Sequence, residues 1–69
     1  MFIVVEIQTK NGITSVVTPA AYADRNEAEA KYHQVLSAAA ISNVDIHSCT
    51  VLNEHGSAIL SHFYNHNSN

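Results

Sequence analysis

Residues 2–18 read FIVVEIQTKNGITSVVT, and this stretch decides the fold. Two runs rich in β-branched side chains flank an Asn-Gly pair at positions 11 and 12. Asn-Gly is the strongest short-range signal for a β-hairpin, because a type I′ turn needs positive φ at both central residues. The stretch therefore predicts two antiparallel strands. The second strand is expected to stop at Pro19, since proline cannot donate a hydrogen bond to a neighbouring strand.

A two-residue turn also fixes which side chains share a face of this hairpin. Ile7 is expected to face Val16, and Val5 to face Thr18, with Ile3 beyond them on the same side. The opposite face is then expected to carry Phe2, Val4, Glu6, Ile13 and Val17. A sheet with one face in water alternates apolar and polar residues. This hairpin is instead largely apolar on both faces.

The next segment has the pattern of an amphipathic helix. Asp24 followed by Glu27 is typical of a helix start, because the Asp24 carboxylate can accept from amides of the first turn. An apolar stripe recurs at three- and four-residue steps and comprises Ala28, Tyr32, Val35, Leu36 and Ala39. The helix is expected to end at Ser42-Asn43, with Asn43 as a left-handed cap.

A second hairpin is predicted over residues 44–53 and 57–65. Residues 53–56, Asn-Glu-His-Gly, fit a three-residue hairpin loop with glycine in the left-handed conformation. That loop places Val51 opposite Ile59. The helix side is then assigned Cys49, Val51, Ile59, Ser61 and Phe63, and the other side Ile46, Ser48, Thr50, Leu52, Ala58, Leu60, His62 and Tyr64.

These elements predict an α+β fold of the ββαββ kind. A right-handed crossover through the helix lets strand 3 pair antiparallel with strand 1. The expected architecture is a four-stranded antiparallel sheet in the order 2-1-3-4, with one helix packed on one face. Residues 1–65 form a single domain, and residues 66–69 are expected to be a frayed polar tail.

Composition excludes several functional classes. The net charge is -3 with three Lys and Arg in all, too few for the basic stripe that binds nucleic acid. No apolar run approaches the roughly 20 residues of a membrane span. The N-terminus lacks the basic segment of a signal peptide, which favours an intracellular protein. The lone cysteine, Cys49, cannot form an internal disulfide and is expected to be a small buried apolar residue.

One helix can cover only one face of the sheet, so the other face is expected to be covered by another subunit. The face predicted to be uncovered carries Phe2, Val4, Ile13, Val17, Leu52, Leu60 and Tyr64. Monomers rarely leave so large an apolar patch in water. These residues are therefore predicted to form an interface in a homo-oligomer, a dimer or a higher assembly.

The candidate site residues are few. Tyr22, Arg25 and Asn26 lie where the second strand meets the helix, where an anion could bind, although Asp24 competes for the same amides. His62 joins them as a candidate ligand-binding residue. His47 or His62 could act as an acid or base, but no nucleophile at Ser48 or Cys49 shows a partner pattern. No catalytic residue, metal site or cofactor is predicted, because His62 and His66 on a strand stand too far apart to share an ion.

Residues 1–9, the Ala21-Tyr22 pair, the helix block from Asp24 to Leu36 and the alanines at 38–40 resemble small uncharacterised proteins of phages and prophages of gut bacteria. The resemblance implies a viral accessory setting, in the host cytoplasm or in the virion. Such proteins tend to be virion components or inhibitors of host defence, the latter sometimes by sequestering a signalling nucleotide between subunits. The first expectation is a non-enzymatic homo-oligomer that binds a small host ligand or a host protein. The alternatives are a structural virion protein and a small dimeric enzyme of ferredoxin-like type.

Overall fold

The computed structural model describes residues 1–66 and has the predicted element order. The elements are β1 (Phe2–Lys10), β2 (Ile13–Tyr22), α1 (Arg25–Ala40), β3 (Ile46–Asn53) and β4 (Ala58–Asn65). The strands form one antiparallel sheet in the order β2-β1-β3-β4. The predicted α+β fold and strand order are confirmed. Within residues 1–66, no helix has the length and apolar character needed to span a lipid bilayer.

The β1–β2 turn has the geometry that Asn-Gly predicts. Asn11 has φ 55 and Gly12 has φ 79, the two positive values of a type I′ turn. The Asn11 amide also donates to Oδ2 of Asp45 at 2.9 Å. This bond joins the tip of the first hairpin to the segment that precedes β3.

Strand β2 continues past the proline that was expected to end it. Ile7 pairs with Val16 as predicted, but a bulge between Val4 and Glu6 shifts the register, and the strand runs on to Tyr22. The predicted stop at Pro19 is wrong. Because β2 is an edge strand, Pro19 can lie within it without removing a ladder bond from the sheet.

The second hairpin follows the predicted register only beside its turn. Gly56 has φ 82, and Leu52 pairs with Ala58 as expected. A bulge between Val51 and Leu52 then places Val51 opposite Leu60, where the sequence predicted Ile59. The shift of one residue turns the rest of β4 over. As a result His62 and Tyr64 share the helix side with Cys49, and Ser61 and Phe63 lie on the other side.

Helix α1 begins as predicted and ends differently. The Asp24 side chain accepts from the Asn26 amide at 2.9 Å, which caps the first turn. The buried stripe is Ala28, Tyr32, Val35 and Ala39, as expected. The helix stops at Ala40 with Ile41 as its C-cap at φ -114, so the predicted left-handed cap at Asn43 is wrong.

The core lies between α1 and the middle of the sheet. Its buried members are Val4, Ala28, Tyr32, Val35, Cys49 and Val51. Partly buried side chains packed against it are Phe2, Tyr22, Leu36, Ile59 and Leu60. Phe2, Val4 and Leu60 were assigned to the uncovered side, and that placement is wrong. Val4 is 3% exposed beneath the helix.

The side of the sheet away from the helix is called the open face below. From the alternation of β1 and the pairing of the strands, it carries Ile3, Val5, Ile7, Thr9, Thr14, Val16, Ala21, Ile46, Ser48, Thr50, Leu52, Ala58, Ser61, Phe63 and Asn65. The prediction reversed the first hairpin, since it placed Glu6 on the side away from the helix. The structure puts Glu6 and Gln8 under the helix end, where both contact His47.

The chain beyond β4 is attached at its first residue. The His66 amide donates to the Asp45 carbonyl at 2.7 Å, and its Nε2 donates to the Ala39 carbonyl at 2.7 Å. His66 was expected to begin a frayed tail, and for this residue the prediction is wrong. The remainder of the predicted tail, 67–69, lies outside the described residues.

Candidate functional site

A buried histidine and a glutamate form the most chemically distinctive pair in the described structure. His47 on β3 is 3% exposed, and its Nε2 lies 2.5 Å from Oε2 of Glu6 on β1. The Glu6 side chain is 20% exposed, so the carboxylate reaches the edge of the core. An ionised carboxylate can only accept, so the hydrogen between these atoms belongs to Nε2.

Two further side chains complete the polar cluster, defined as Glu6, Gln8, Ser42 and His47. The Gln8 amide nitrogen donates to Oε2 of Glu6 at 3.2 Å. The Ser42 hydroxyl lies 3.3 Å from Nδ1 of His47 and 3.3 Å from the Ala39 carbonyl. Within residues 1–66, no buried side-chain nitrogen or oxygen lacks a hydrogen-bond partner. The cluster is therefore satisfied where an unpaired group would be costly.

The Ser42 hydroxyl has two neighbours that can accept its proton, the Ala39 carbonyl and Nδ1 of His47. If it donates to the carbonyl, its oxygen can accept from an Nδ1–H, and if it donates to Nδ1, that nitrogen is the acceptor. In both arrangements Nε2 of His47 donates to Glu6, and every group of the cluster has a partner.

Ser42, His47 and Glu6 contain the residue types of a nucleophile, base and acid relay, yet they are not arranged for catalysis. Both ring nitrogens of His47 are occupied, and the ring is buried. A general base must come within hydrogen-bond reach of a substrate proton. The cluster fixes β1, β3 and the helix end together, and this is a structural role.

Sequence reasoning considered His47 but missed Glu6 as its partner. The two residues are far apart in the chain and meet only because β1 and β3 are neighbours in the sheet. The available signal was the Glu6–Gln8 pair, two polar residues at alternate positions of an apolar strand. Such a pair on a core-facing side requires a polar partner from another element.

The predicted ligand-binding residues lie in two places. Asp24 takes the role of helix cap, and Arg25 donates from Nε to Oε2 of Glu29 at 2.7 Å on the exposed helix surface. Tyr22 is partly buried against the core, and Asn26 gives its amide to the cap. His62 lies on β4, three strands away from the end of β2, which is about 14 Å. The structure therefore does not bring His62 together with the other three.

The predicted interface residues are also divided. Leu52 lies on the open face as expected. The other six, Phe2, Val4, Ile13, Val17, Leu60 and Tyr64, lie on the helix side, where Ile13 and Val17 extend beyond the helix and are exposed. Two exposed apolar residues of the open face, Val16 and Phe63, had been assigned by the sequence to the helix side. Phe63 was missed because the β4 bulge reversed its side.

The histidines of the described chain are not arranged around an ion. No group of three His, Cys, Asp or Glu side chains within residues 1–66 is placed to hold a metal. The His62 and Tyr64 rings meet edge to face at 5.0 Å, and Tyr64 stacks on His66 at 6.2 Å. These rings line the helix side of β4. The same part of the chain has no cavity that would enclose a small molecule.

Cys49 has the environment of an inert thiol. It is fully buried, and burial, followed by the nearby Glu6 carboxylate, raises its pKa to about 11. Burial also raises the pKa of the neighbouring Tyr32, with smaller contributions from Cys49 and Tyr64. The prediction that Cys49 is a small buried apolar residue is confirmed.

Comparison of the chain with protein-family models, with curated proteins and with solved structures finds no match.

Proposed function

We propose that this chain is a non-enzymatic, homo-oligomeric phage accessory protein that acts by binding. Its target is a small host ligand or a host defence factor held where subunits meet. The observation that carries the proposal is a contrast between the two sides of the sheet. The groups best suited to chemistry are enclosed beneath the helix end, whereas large apolar side chains lie exposed on the open face. The phage setting is supported by the sequence resemblance.

A single subunit offers little to a small ligand. Ligand sites usually enclose 70–90% of a small molecule in a concave pocket, and residues 1–66 form no such cavity. Two or more copies could build the walls that one copy lacks. This favours a site shared between subunits.

Arg25 is the best placed cation for an anionic target such as a nucleotide phosphate. Its side chain is half exposed at the start of α1, and its bond to Glu29 uses one N–H of the guanidinium. A guanidinium has five N–H groups in a planar fork that matches phosphate oxygens. Tyr22 lies just before it in the chain and could contact a base or sugar.

The test is a thermal-shift screen of the purified protein against a panel of nucleotides, with light scattering to give the mass of the assembly. A ligand that binds the folded state raises the melting temperature. We expect a shift for one nucleotide class that is lost in Arg25→Ala and kept in Lys10→Ala. An assembly that responds to no nucleotide and is a stoichiometric component of purified phage particles by mass spectrometry would instead support the structural alternative.

The enzymatic alternative would depend on the Ser42–His47–Glu6 chain of hydrogen bonds, which has the residue types of a catalytic relay. A fluorophosphonate probe reacts with activated serines, and we expect no labelling of the wild-type protein because the His47 ring beside Ser42 is buried and both of its nitrogens are hydrogen-bonded. Labelling that disappears in Ser42→Ala would contradict the proposed binding role.

A further inference from the structure

We propose that the open face is an interface with a second copy of this chain, packed back to back about a two-fold axis through the middle of the sheet. The inference rests on the proposed function, since it names the surface through which the homo-oligomer forms. It differs from the interface predicted by the sequence, most of whose residues lie on the helix side.

The open face is free of charged side chains. Its residues are aliphatic, aromatic, serine, threonine or, at the end of β4, asparagine, and no Asp, Glu, Lys, Arg or His is among them. The charged residues of the sheet strands, Glu6 and Lys10, lie on the helix side. In a two-fold contact a patch meets its own copy, so like charges would face each other. A face without charge avoids this repulsion and the cost of burying an ion.

Two pairs of hydroxyl groups on this face are hydrogen-bonded across neighbouring strands. Oγ1 of Thr9 lies 2.9 Å from Oγ1 of Thr14, and Oγ1 of Thr50 lies 3.0 Å from Oγ of Ser61. Burying an unpaired hydroxyl is costly, whereas a hydrogen-bonded one can be removed from water at lower cost. Cross-strand pairing thus lowers the cost of burying these hydroxyl groups in an interface that excludes water.

The face is large enough for a modest dimer. Eight residues at 3.3 Å and four strands at 4.8 Å give a rectangle of about 26 Å by about 19 Å, or roughly 500 Å². Two such faces, treated as flat, bury about 1,000 Å², and projecting side chains add to this area. The total reaches the lower limit of a specific interface. Two sheets packed in this way lie about 10 Å apart, at about 30° to each other.

One row across the sheet gives the face its shape. The pairings place Val16, Ile7, Ser48 and Phe63 side by side from β2 to β4. The small Ser48 leaves a notch between Ile7 and Phe63, and Phe63 stands 62% exposed beside it. A two-fold axis lets an apolar side chain of each copy enter the notch of the other. Phe63 is therefore the expected anchor of the contact.

The first experiment measures the mass of the whole chain by light scattering and sedimentation at several concentrations. We expect twice the 7.5 kDa chain mass for the wild type. Phe63→Asp should weaken self-association by at least about 30-fold, as expected for an anchor residue. The control is Ile41→Asp, which places the same charge on a side chain that is 88% exposed at the helix end, away from the open face.

The second experiment does not depend on a disruptive variant. The chain has no tryptophan, so Phe63→Trp introduces a single fluorescent reporter. Its emission should be that of a buried indole at high concentration and should move to the red on dilution. Ile41→Trp, the matched control, should show an exposed indole throughout.

The outcomes separate this inference from the proposed function. A wild-type monomer at high micromolar concentration, or an oligomer whose mass is the same in folded Phe63→Asp, overturns the inference. The second result leaves a homo-oligomeric binder intact, with a different contact surface. A dimer that Phe63→Asp dissociates supports the inference even if no nucleotide or host partner binds it.

Discussion

Oε2 of Glu6 lies 2.5 Å from Nε2 of His47, although the two residues are 41 positions apart in the chain. The contact crosses from β1 to β3 on the helix side of the sheet, directly under the helix end. It explains why an otherwise apolar core contains a histidine. It also explains why the first hairpin turns its Glu6 side toward the helix, leaving Ile3, Val5 and Ile7 on the open face.

Removing the acceptor of this pair should destabilise the fold. Glu6→Ala leaves the buried Nε2–H of His47 without its carboxylate, and a buried donor without a partner costs about 1–3 kcal/mol. Glu6→Gln retains an acceptor and should cost less. Urea unfolding followed by circular dichroism measures both. Glu29→Gln, at the exposed pair with Arg25, is the control and should change stability by less than about 1 kcal/mol. Equal losses for Glu6→Ala and Glu29→Gln would contradict a structural role for the pair.

The side of the sheet that faces the helix can be tested with two equivalent truncations. Val4→Ala removes buried methyl groups at a site that is 3% exposed and should cost about 2 kcal/mol, by the usual value per buried methylene plus a cavity term. Val16→Ala makes the same change at a site that is 57% exposed. It should cost less than half as much in dilute solution. A greater loss for Val16→Ala would reverse the assignment of the two faces.

The first hairpin turn depends on glycine for its backbone and not for space. Gly12 has φ 79, and a Cβ there would meet nothing within 4 Å. Gly12→Ala should therefore destabilise the protein by about 1 kcal/mol through backbone strain. A chemically synthesised chain with D-alanine at position 12 is the matched control, because the D configuration favours positive φ. If L- and D-alanine have the same effect on the melting temperature, the turn geometry is wrong.

Cys49 should make the fold sensitive to alkali. The pKa of its thiol is raised to about 11 in the folded state from 9.0, so the unfolded state releases its proton first as the pH rises. The stabilisation is full below about pH 9 and is lost between about pH 9 and about pH 11. Unfolding curves across this range measure it. Cys49→Ala should be less stable at pH 7 but should lose less stability over the same interval.

The same burial predicts slow chemical modification. A thiol-specific reagent at pH 8 should react with native Cys49 far more slowly than with the unfolded chain in guanidinium. In the folded protein the reagent cannot reach the buried sulfur, and little of the thiol is ionised to the reactive thiolate. Fast labelling of the native protein would mean that the core opens beside β3.

Local signals in the sequence determined most of the architecture. Asn11-Gly12 requires a two-residue turn with positive φ, and Asp24 before an apolar stripe begins a helix, so both elements could be placed without coordinates. Short connections and a right-handed crossover then allowed few strand orders, and the order 2-1-3-4 was among them.

The tertiary structure alone decided which side of the sheet the helix covers. The strands are apolar on both sides, so periodicity could not choose between them, and single-residue bulges at Val4/Glu6 and Val51/Leu52 changed the registers. The choice depends on a contact between strands that are distant in the chain: Glu6 and His47 satisfy each other only on the helix side. A charged group can be placed at the edge of a core only if another element supplies its partner, and the sequence of a single strand does not reveal that partner.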